Sequence, residues 1–98
     1  MSDSEMYEAL HPDPTKKGAR VTKATYDAYR AAFLQVVPKD EQGIELQPLI
    51  DGIVPLLPPD VRDSTSPGWW MMSVKLDLEA RGVIERVPGK GKQRVRQK

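Results

Sequence analysis

Positive charge is concentrated near the C-terminus of the chain. Lys90, Lys92, Arg94 and Arg96 lie within seven residues. Lysine and arginine side chains bind phosphate groups, and each can neutralise about one phosphate of a nucleic-acid backbone. This group predicts an acidic partner, and a solvated basic tail is the alternative interpretation.

The net charge of the whole chain, +1, conceals a segregation of charge along the sequence. Residues 16–37 and 81–98 carry net charges of +4 and +6, whereas residues 1–15 and 38–63 each carry −4 and residues 64–80 carry −1. The two positive blocks favour an acidic partner, which the average charge alone would not suggest.

Residues typical of catalytic or metal sites are few. His11 is the only histidine and lies in a proline-containing N-terminal stretch. Asp77 and Glu79 are two positions apart on a predicted helix, so their carboxylates diverge. The Gly-Lys-Gly-Lys sequence at 89–92 has no strand–loop–helix after it, unlike a phosphate loop. The sequence therefore predicts no enzyme, metal, cofactor or small-molecule substrate.

Composition also bears on the compartment. The chain has no cysteine, which excludes disulfides and thiolate metal sites. No apolar run approaches the roughly 20 residues that a membrane span needs. The N-terminus lacks the basic, apolar and small-residue succession of a signal peptide. We therefore expect a cytoplasmic protein without membrane contact.

A helix between Ser66 and Gly82 is expected to organise the chain. Ser66 is a favourable N-cap, Pro67 suits the first helical position, and Gly82 suits a left-handed C-terminal position. The residues that share its predicted buried face, at spacings of four, four and three, are Trp70, Val74, Leu78 and Arg81. Trp69 is then at least partly exposed.

Two further helices precede this one. The first, capped by Thr22, runs from Lys23 to about Val37 and ends at a proline. The second follows a possible short strand at 44–46. We expect it to be bent or shortened and to end by Leu57, because Gly52 and a nearby proline oppose it.

The remaining segments are expected to be irregular or extended. Residues 60–65 are predicted to be a loop. Residues 1–20 are predicted to form an arm, loosely ordered unless it docks on the domain formed by residues 21–98. Residues 83–87 and 93–97 are typical of a β-hairpin. The register predicted for it pairs Ile84 with Val95 and Glu85 with Arg94.

This order of elements resembles the winged helix-turn-helix family. The most specific piece is the sequence from Val74 to Ile84, which looks like the end of a winged-helix third helix and its exit into the wing. With Gly68-Trp69-Trp70 and Arg20-Val21, the chain looks closest to a group of small bacterial proteins with no activity to carry over. The resemblance covers about residues 20–97. It implies an α+β, mostly α fold of three helices, a short strand and a C-terminal β-hairpin wing.

The resemblance also implies a partner, double-stranded DNA, and a set of contact residues. In winged-helix DNA-binding proteins the third helix enters the major groove and the wing touches the DNA backbone. The residues that would make these contacts are Lys90, Lys92, Arg94, Arg96, Lys75, Ser73, Trp69, Lys23 and Arg20.

The third helix departs from this pattern. Asp77 and Glu79 would repel phosphate if they faced DNA, and the helix offers few of the side chains that read base edges. We therefore expect backbone-dominated DNA binding of weak sequence specificity, in a regulatory or architectural role. The alternative is a protein-interaction or dimerisation module that uses the exposed side of the third helix, with Trp69 and Met72.

Overall fold

The computed structural model of the chain describes residues 5–13, 15–89 and 91–98. In these residues the α-helices are α1 (Lys23–Val36), α2 (Leu46–Ile53), α3 (Pro59–Ser64) and α4 (Pro67–Ala80). The strands are β1 (Met6–Glu8), β2 (Arg20–Thr22), β3 (Ile44–Glu45), β4 (Ile84–Arg86) and β5 (Arg94–Gln97). The chain is therefore a small α+β protein with two antiparallel sheets. Across the described ranges, no helix combines the length and apolar character needed to cross a membrane.

The core lies between α1, α2 and α4. On α1, Tyr26, Tyr29 and Phe33 are buried, at the three- and four-residue spacings expected for one helical face. The other elements contribute Leu49, Ile53, Leu57, Met71, Val74, Leu78, Ile84 and Val95 to the same cluster. The hairpin is thus anchored to the helices by Ile84 and Val95.

The close approach of α1 and α2 explains the glycine in α2. A Cβ atom on Gly52 would lie 2.8 Å from Cγ1 of Val36, which is too close for an ordinary contact. The α-helix ends at Ile53 and continues as a 3₁₀ turn, Val54–Leu56, which contains Pro55. The predicted shortening of this helix, with its end by Leu57, is confirmed.

The predicted loop at residues 60–65 is wrong, because α3 occupies most of it. Pro58-Pro59 ends the preceding turn, but Pro59 also begins α3, where its missing N–H has no helical partner to lose. Asp60 lies in the first turn and Arg62 in the last, as the helix dipole favours. Val61 packs against the core.

The organising helix α4 runs from Pro67 to Ala80, close to its predicted bounds. Gly82 has a φ of +75°, the left-handed conformation expected at this position. Val74 and Leu78 are buried as predicted. Trp70 is half-buried against the core, so its indole is less enclosed than its predicted core position implies.

The hairpin forms, but the predicted register is wrong by two residues. Ile84 pairs with Gln97, Glu85 with Arg96, and Arg86 with Val95. A shift of two keeps every side chain on its face, so Ile84 and Val95 are still buried. With β4 ending at Arg86 and β5 beginning at Arg94, the connection between the two strands is longer than predicted. Strand β3 pairs with the other edge of β5 and completes a sheet of order β3-β5-β4.

The N-terminal segment docks on the domain. Strand β1 pairs with β2, with Tyr7 opposite Val21. The backbones of Ala9 and Ala19 exchange two hydrogen bonds, of 2.8 and 3.1 Å. The Tyr7 ring stacks on Tyr26, with 4.2 Å between the ring centroids. The stretch from Met6 to Ala9 is therefore part of the packed structure, the exception allowed for in the prediction of an arm.

Candidate nucleic-acid interface

The end of the hairpin carries a cavity lined by cations. Arg86 at the end of β4, Lys92 in the loop and Arg94 at the start of β5 surround a volume of about 230 Å³. The loop between them includes Gly89 and Gly91, whose φ angles of 143° and 97° suit glycine. The cavity combines positive side chains and exposed backbone, which are the groups that bind oxyanions.

Two of the predicted contact residues form ion pairs within the sheet. Arg94 Nη2 lies 3.0 Å from Glu45 Oε1, and Arg96 Nε donates a 2.8 Å hydrogen bond to Glu85 Oε2. Arg96 also donates to the carbonyl oxygen of Glu41, at 3.1 Å. Arg96 is thus held by two partners. Arg94 is held by one, and its side chain is 45% exposed beside the cavity.

Lys75 does not contribute to a DNA-binding surface, so its prediction as a contact residue is corrected. Its side chain is 1% exposed and forms an ion pair with Glu79, one helical turn away. The shared ion pair explains how an ammonium group is accommodated in the interior. The sequence shows that Lys75 and Glu79 are four residues apart, the spacing of an ion pair along a helix. Their burial depends on tertiary packing, which this spacing does not indicate.

The solvent-facing side of α4 is apolar. We call Trp69, Met72, Ser73, Leu76 and Ala80 the open face of this helix. Trp69 is 52% exposed, as predicted, and Ser73 is partly exposed. Because Lys75 is buried elsewhere on the helix, the open face contains no charged side chain with which to contact phosphate.

Arg20 and Lys23 lie apart from the hairpin in the fold. Arg20 belongs to β2 and is opposite Glu8 of β1. Lys23 begins α1, and its Nζ donates a 2.8 Å hydrogen bond to Asp27 Oδ2. This hydrogen bond raises the pKa of Lys23 above its usual value. Arg20 belongs to the two-stranded sheet and Lys23 directly follows that sheet in sequence, whereas the cavity lies on the three-stranded sheet.

The structure therefore brings together part of the predicted set. Lys92 and Arg94 line the cavity with Arg86, which the prediction missed because its charge belongs to the opposite strand. Arg96 does not line the cavity, and its guanidinium is hydrogen-bonded to Glu85. The predicted contact residue Lys90 lies outside the described residues. Within the described ranges, no group of three or more histidine, aspartate or glutamate side chains is arranged to hold a metal ion.

Asp77 has a structural role that the sequence did not predict. It is fully buried and accepts hydrogen bonds from the Tyr26 hydroxyl, the Leu10 N–H and Arg81 Nε. Its carboxylate therefore faces the interior and not a DNA backbone. Arg81 follows Asp77 by one helical turn, and this spacing was a signal in the sequence for the hydrogen bond between them. Leu10 and Tyr26 are distant from Asp77 in sequence.

Comparison with known proteins identifies one family. A family model described as a family of unknown function (DUF6958) matches residues 6–95, most of the chain, including the docked N-terminal strand. The match does not name a winged-helix family. No curated protein and no solved structure matches the chain. The chain belongs to the DUF6958 family of unknown function.

Proposed function

We propose that the protein is a winged-helix protein that binds the phosphate backbone of double-stranded DNA through the end of its C-terminal hairpin. The order of helix, strand, helices and hairpin supports the winged-helix assignment. So does the joining of the hairpin to β3 in one sheet.

The observation that carries the proposal is the cationic cavity of Arg86, Lys92 and Arg94. Two strands and a loop converge there, so three positive side chains surround one space about 230 Å³ in volume. A DNA phosphate supplies the negative charge and the several acceptor oxygens that such a set of donors can use.

Weak sequence specificity follows from the same geometry. Base edges are read mainly by hydrogen-bonding side chains in the major groove, and the open face of α4 offers only the Ser73 hydroxyl and the Trp69 indole N–H. The cations lie on the hairpin, where they reach phosphates before bases. The proposed role is regulatory or architectural, in the cytoplasm.

A salt series with random-sequence duplex DNA tests the proposal. Three phosphate contacts predict a log–log slope of about −2.7, at about −0.9 per contact. A variant with Arg86, Lys92 and Arg94 changed to Gln should lose most of the affinity and of the slope.

The matched control removes the same number of charges elsewhere, by changing Lys16, Lys17 and Arg30 to Gln. It should retain most of the binding. The proposal is wrong if the wild type does not bind at about 50 mM salt, or if the hairpin variant binds as the wild type does.

A further inference from the structure

The cationic cavity at the end of the hairpin is a concave space held between the two strands. The Val87 N–H donates a 2.9 Å hydrogen bond to the Arg94 carbonyl oxygen, which joins the two sides of the hairpin beside the cavity. Val87 and Pro88 form an apolar part of its lining, which strengthens the electrostatic attraction of an anion inside it. The volume of about 230 Å³ exceeds the roughly 150 Å³ that accommodates a benzene molecule, so a whole phosphate group can enter.

The charged groups at this cavity leave an excess of two positive charges. Arg86, Lys92 and Arg94 supply three, and the ion pair of Arg94 with Glu45 offsets one of them. Among the residues that the structure describes, no aspartate or glutamate lines the cavity, and neither Arg86 nor Lys92 forms an ion pair. A ligand that carries two negative charges therefore neutralises the cavity.

Internal and terminal phosphates of DNA differ in charge and in access to such a cavity. Each internal phosphate carries one negative charge and is joined to a sugar on both sides. A terminal phosphate monoester carries a charge of about −1.5 to −2 at pH 7, has three acceptor oxygens and is joined to the strand by one ester bond. The terminal phosphate therefore matches the charge of the cavity better and enters it further.

We propose that the cationic cavity binds the terminal phosphate monoester of a DNA end in preference to the internal phosphates of the duplex. This inference rests on the proposed DNA binding and specifies the form of DNA that is bound. Arg94 uses Nη2 to hold Glu45, and its guanidinium has further N–H donors for the phosphate oxygens. Arg86 and Lys92 are both exposed, and they reach the same phosphate from the other strand and from the loop.

Two short duplexes of the same sequence, one with 5′-phosphates and one with 5′-hydroxyls, test the inference by fluorescence anisotropy with the full chain. The phosphorylated duplex should bind at least about ten-fold more tightly, the effect of one added hydrogen bond to a charged group. Arg86→Gln and Lys92→Gln should each remove most of this preference. The matched control is Arg30→Gln, which removes an exposed arginine of α1 and should keep the preference unchanged.

A covalently closed duplex without ends separates this inference from the proposed function. If it binds as tightly as the phosphorylated duplex, the proposed DNA binding stands and the preference for ends is wrong. If no duplex binds, both fail. Inorganic phosphate, compared with chloride at equal ionic strength, and a phosphoserine peptide should each compete far more weakly than the phosphorylated duplex. Equal competition by either one overturns the assignment of the phosphate to a DNA end.

Discussion

Leu10 and Asp77 are 67 positions apart, and the Leu10 N–H donates a 2.8 Å hydrogen bond to Asp77 Oδ1. Arg81 Nε donates to the same oxygen at 2.9 Å, and the Tyr26 hydroxyl donates to the other carboxylate oxygen. Arg81 lies 5.0 Å from the centre of the Tyr7 ring as well. One buried carboxylate therefore joins the N-terminal segment, α1 and α4.

We predict that Asp77→Ala destabilises the protein by about 3–5 kcal/mol, the cost of removing one partner from a buried charged pair. The Tyr26 hydroxyl would also lose its acceptor in the interior. Urea denaturation measures the loss. Asp27→Ala is the control, because it removes an exposed ion pair of the same helical spacing with Lys23. It should cost less than about 1 kcal/mol. Equal costs would contradict the role given to Asp77.

Tyr26 should make stability fall at high pH. Burial, reinforced by the hydrogen bond to Asp77, raises the pKa of Tyr26 above its ordinary value of 10.0. The folded chain then retains a proton that the unfolded chain loses, so the stabilisation is present below pH 10 and declines above it. The decline contributed by this group is at most about 1.4 kcal/mol per pH unit.

Tyr26→Phe tests this linkage. The variant should be less stable at neutral pH by about 1.5–3 kcal/mol, the value of a hydrogen bond to a charged group. Its deficit should shrink between pH 10 and pH 11, because it lacks the hydroxyl that titrates. Guanidinium denaturation at both pH values provides the comparison. A deficit that stays constant would contradict the pKa assignment.

The sequence predicted the elements with strong local signals better than the contacts between them. The bounds of α4 follow from Pro67 and Gly82, which act within one turn of the backbone. The hairpin register was off by two because β5 carries two arginines, Arg94 and Arg96, on the same face, and either could pair with Glu85. Arg96 is the partner in the structure, and Arg94 pairs with Glu45 of β3 instead. Strand β3 was itself predicted, but no local feature of the sequence indicated that it would pair with β5.

The candidate interface was predicted only in part for the same reason. Charge density alone selected Lys92 and Arg94, whereas Arg86 is brought beside them by strand pairing. Lys75 was predicted to contact DNA, and Asp77 was considered only as a carboxylate that would repel phosphate if it faced DNA. The burial of Lys75 depends on its ion pair with Glu79, one helical turn away. The burial of Asp77 depends on Arg81, also one helical turn away, and on Tyr26 and Leu10, which tertiary packing brings to it.

Gly52→Ala should destabilise the protein, although alanine ordinarily favours a helix by about 1 kcal/mol over glycine. The new methyl group would lie 2.8 Å from Cγ1 of Val36, a branched side chain with little freedom to move. We expect a net loss of about 1–3 kcal/mol by thermal denaturation. Adding Val36→Ala should recover part of this loss. Independent, additive effects of the two substitutions would contradict the steric explanation.

Trp70→Ala should cost more stability than Trp69→Ala. The Trp70 ring stacks on Tyr29, with 5.4 Å between centroids, and packs against the core. Because it is half-buried, we expect about 2–3 kcal/mol, below the range for fully buried tryptophan. Trp69→Ala should cost less than about 1 kcal/mol. Urea denaturation of the two variants makes the comparison, and the reverse order would contradict the orientation of α4.

The ion pairs of the three-stranded sheet predict that Lys92 and Arg96 contribute unequally to DNA binding, although both belong to the same basic segment of the sequence. Lys92 is exposed beside the cavity. Arg96 is bound to Glu85 and to the Glu41 carbonyl, so contact with DNA would first break those bonds. Lys92→Gln should therefore reduce the magnitude of the salt slope by about 0.9, the loss of one phosphate contact. Arg96→Gln should reduce it by much less.

Lys75→Gln completes this comparison, because it also removes one positive charge, but from the interior of the protein and not from the hairpin. It should leave DNA affinity and salt slope unchanged while lowering the denaturation midpoint, because Glu79 loses its partner. Fluorescence anisotropy with one duplex across a salt series, together with urea denaturation, separates the two effects. Equal slope changes for Lys92→Gln and Arg96→Gln would mean that charge number, and not the cavity, governs binding. A reduced slope for Lys75→Gln would mean that α4 itself contacts the DNA.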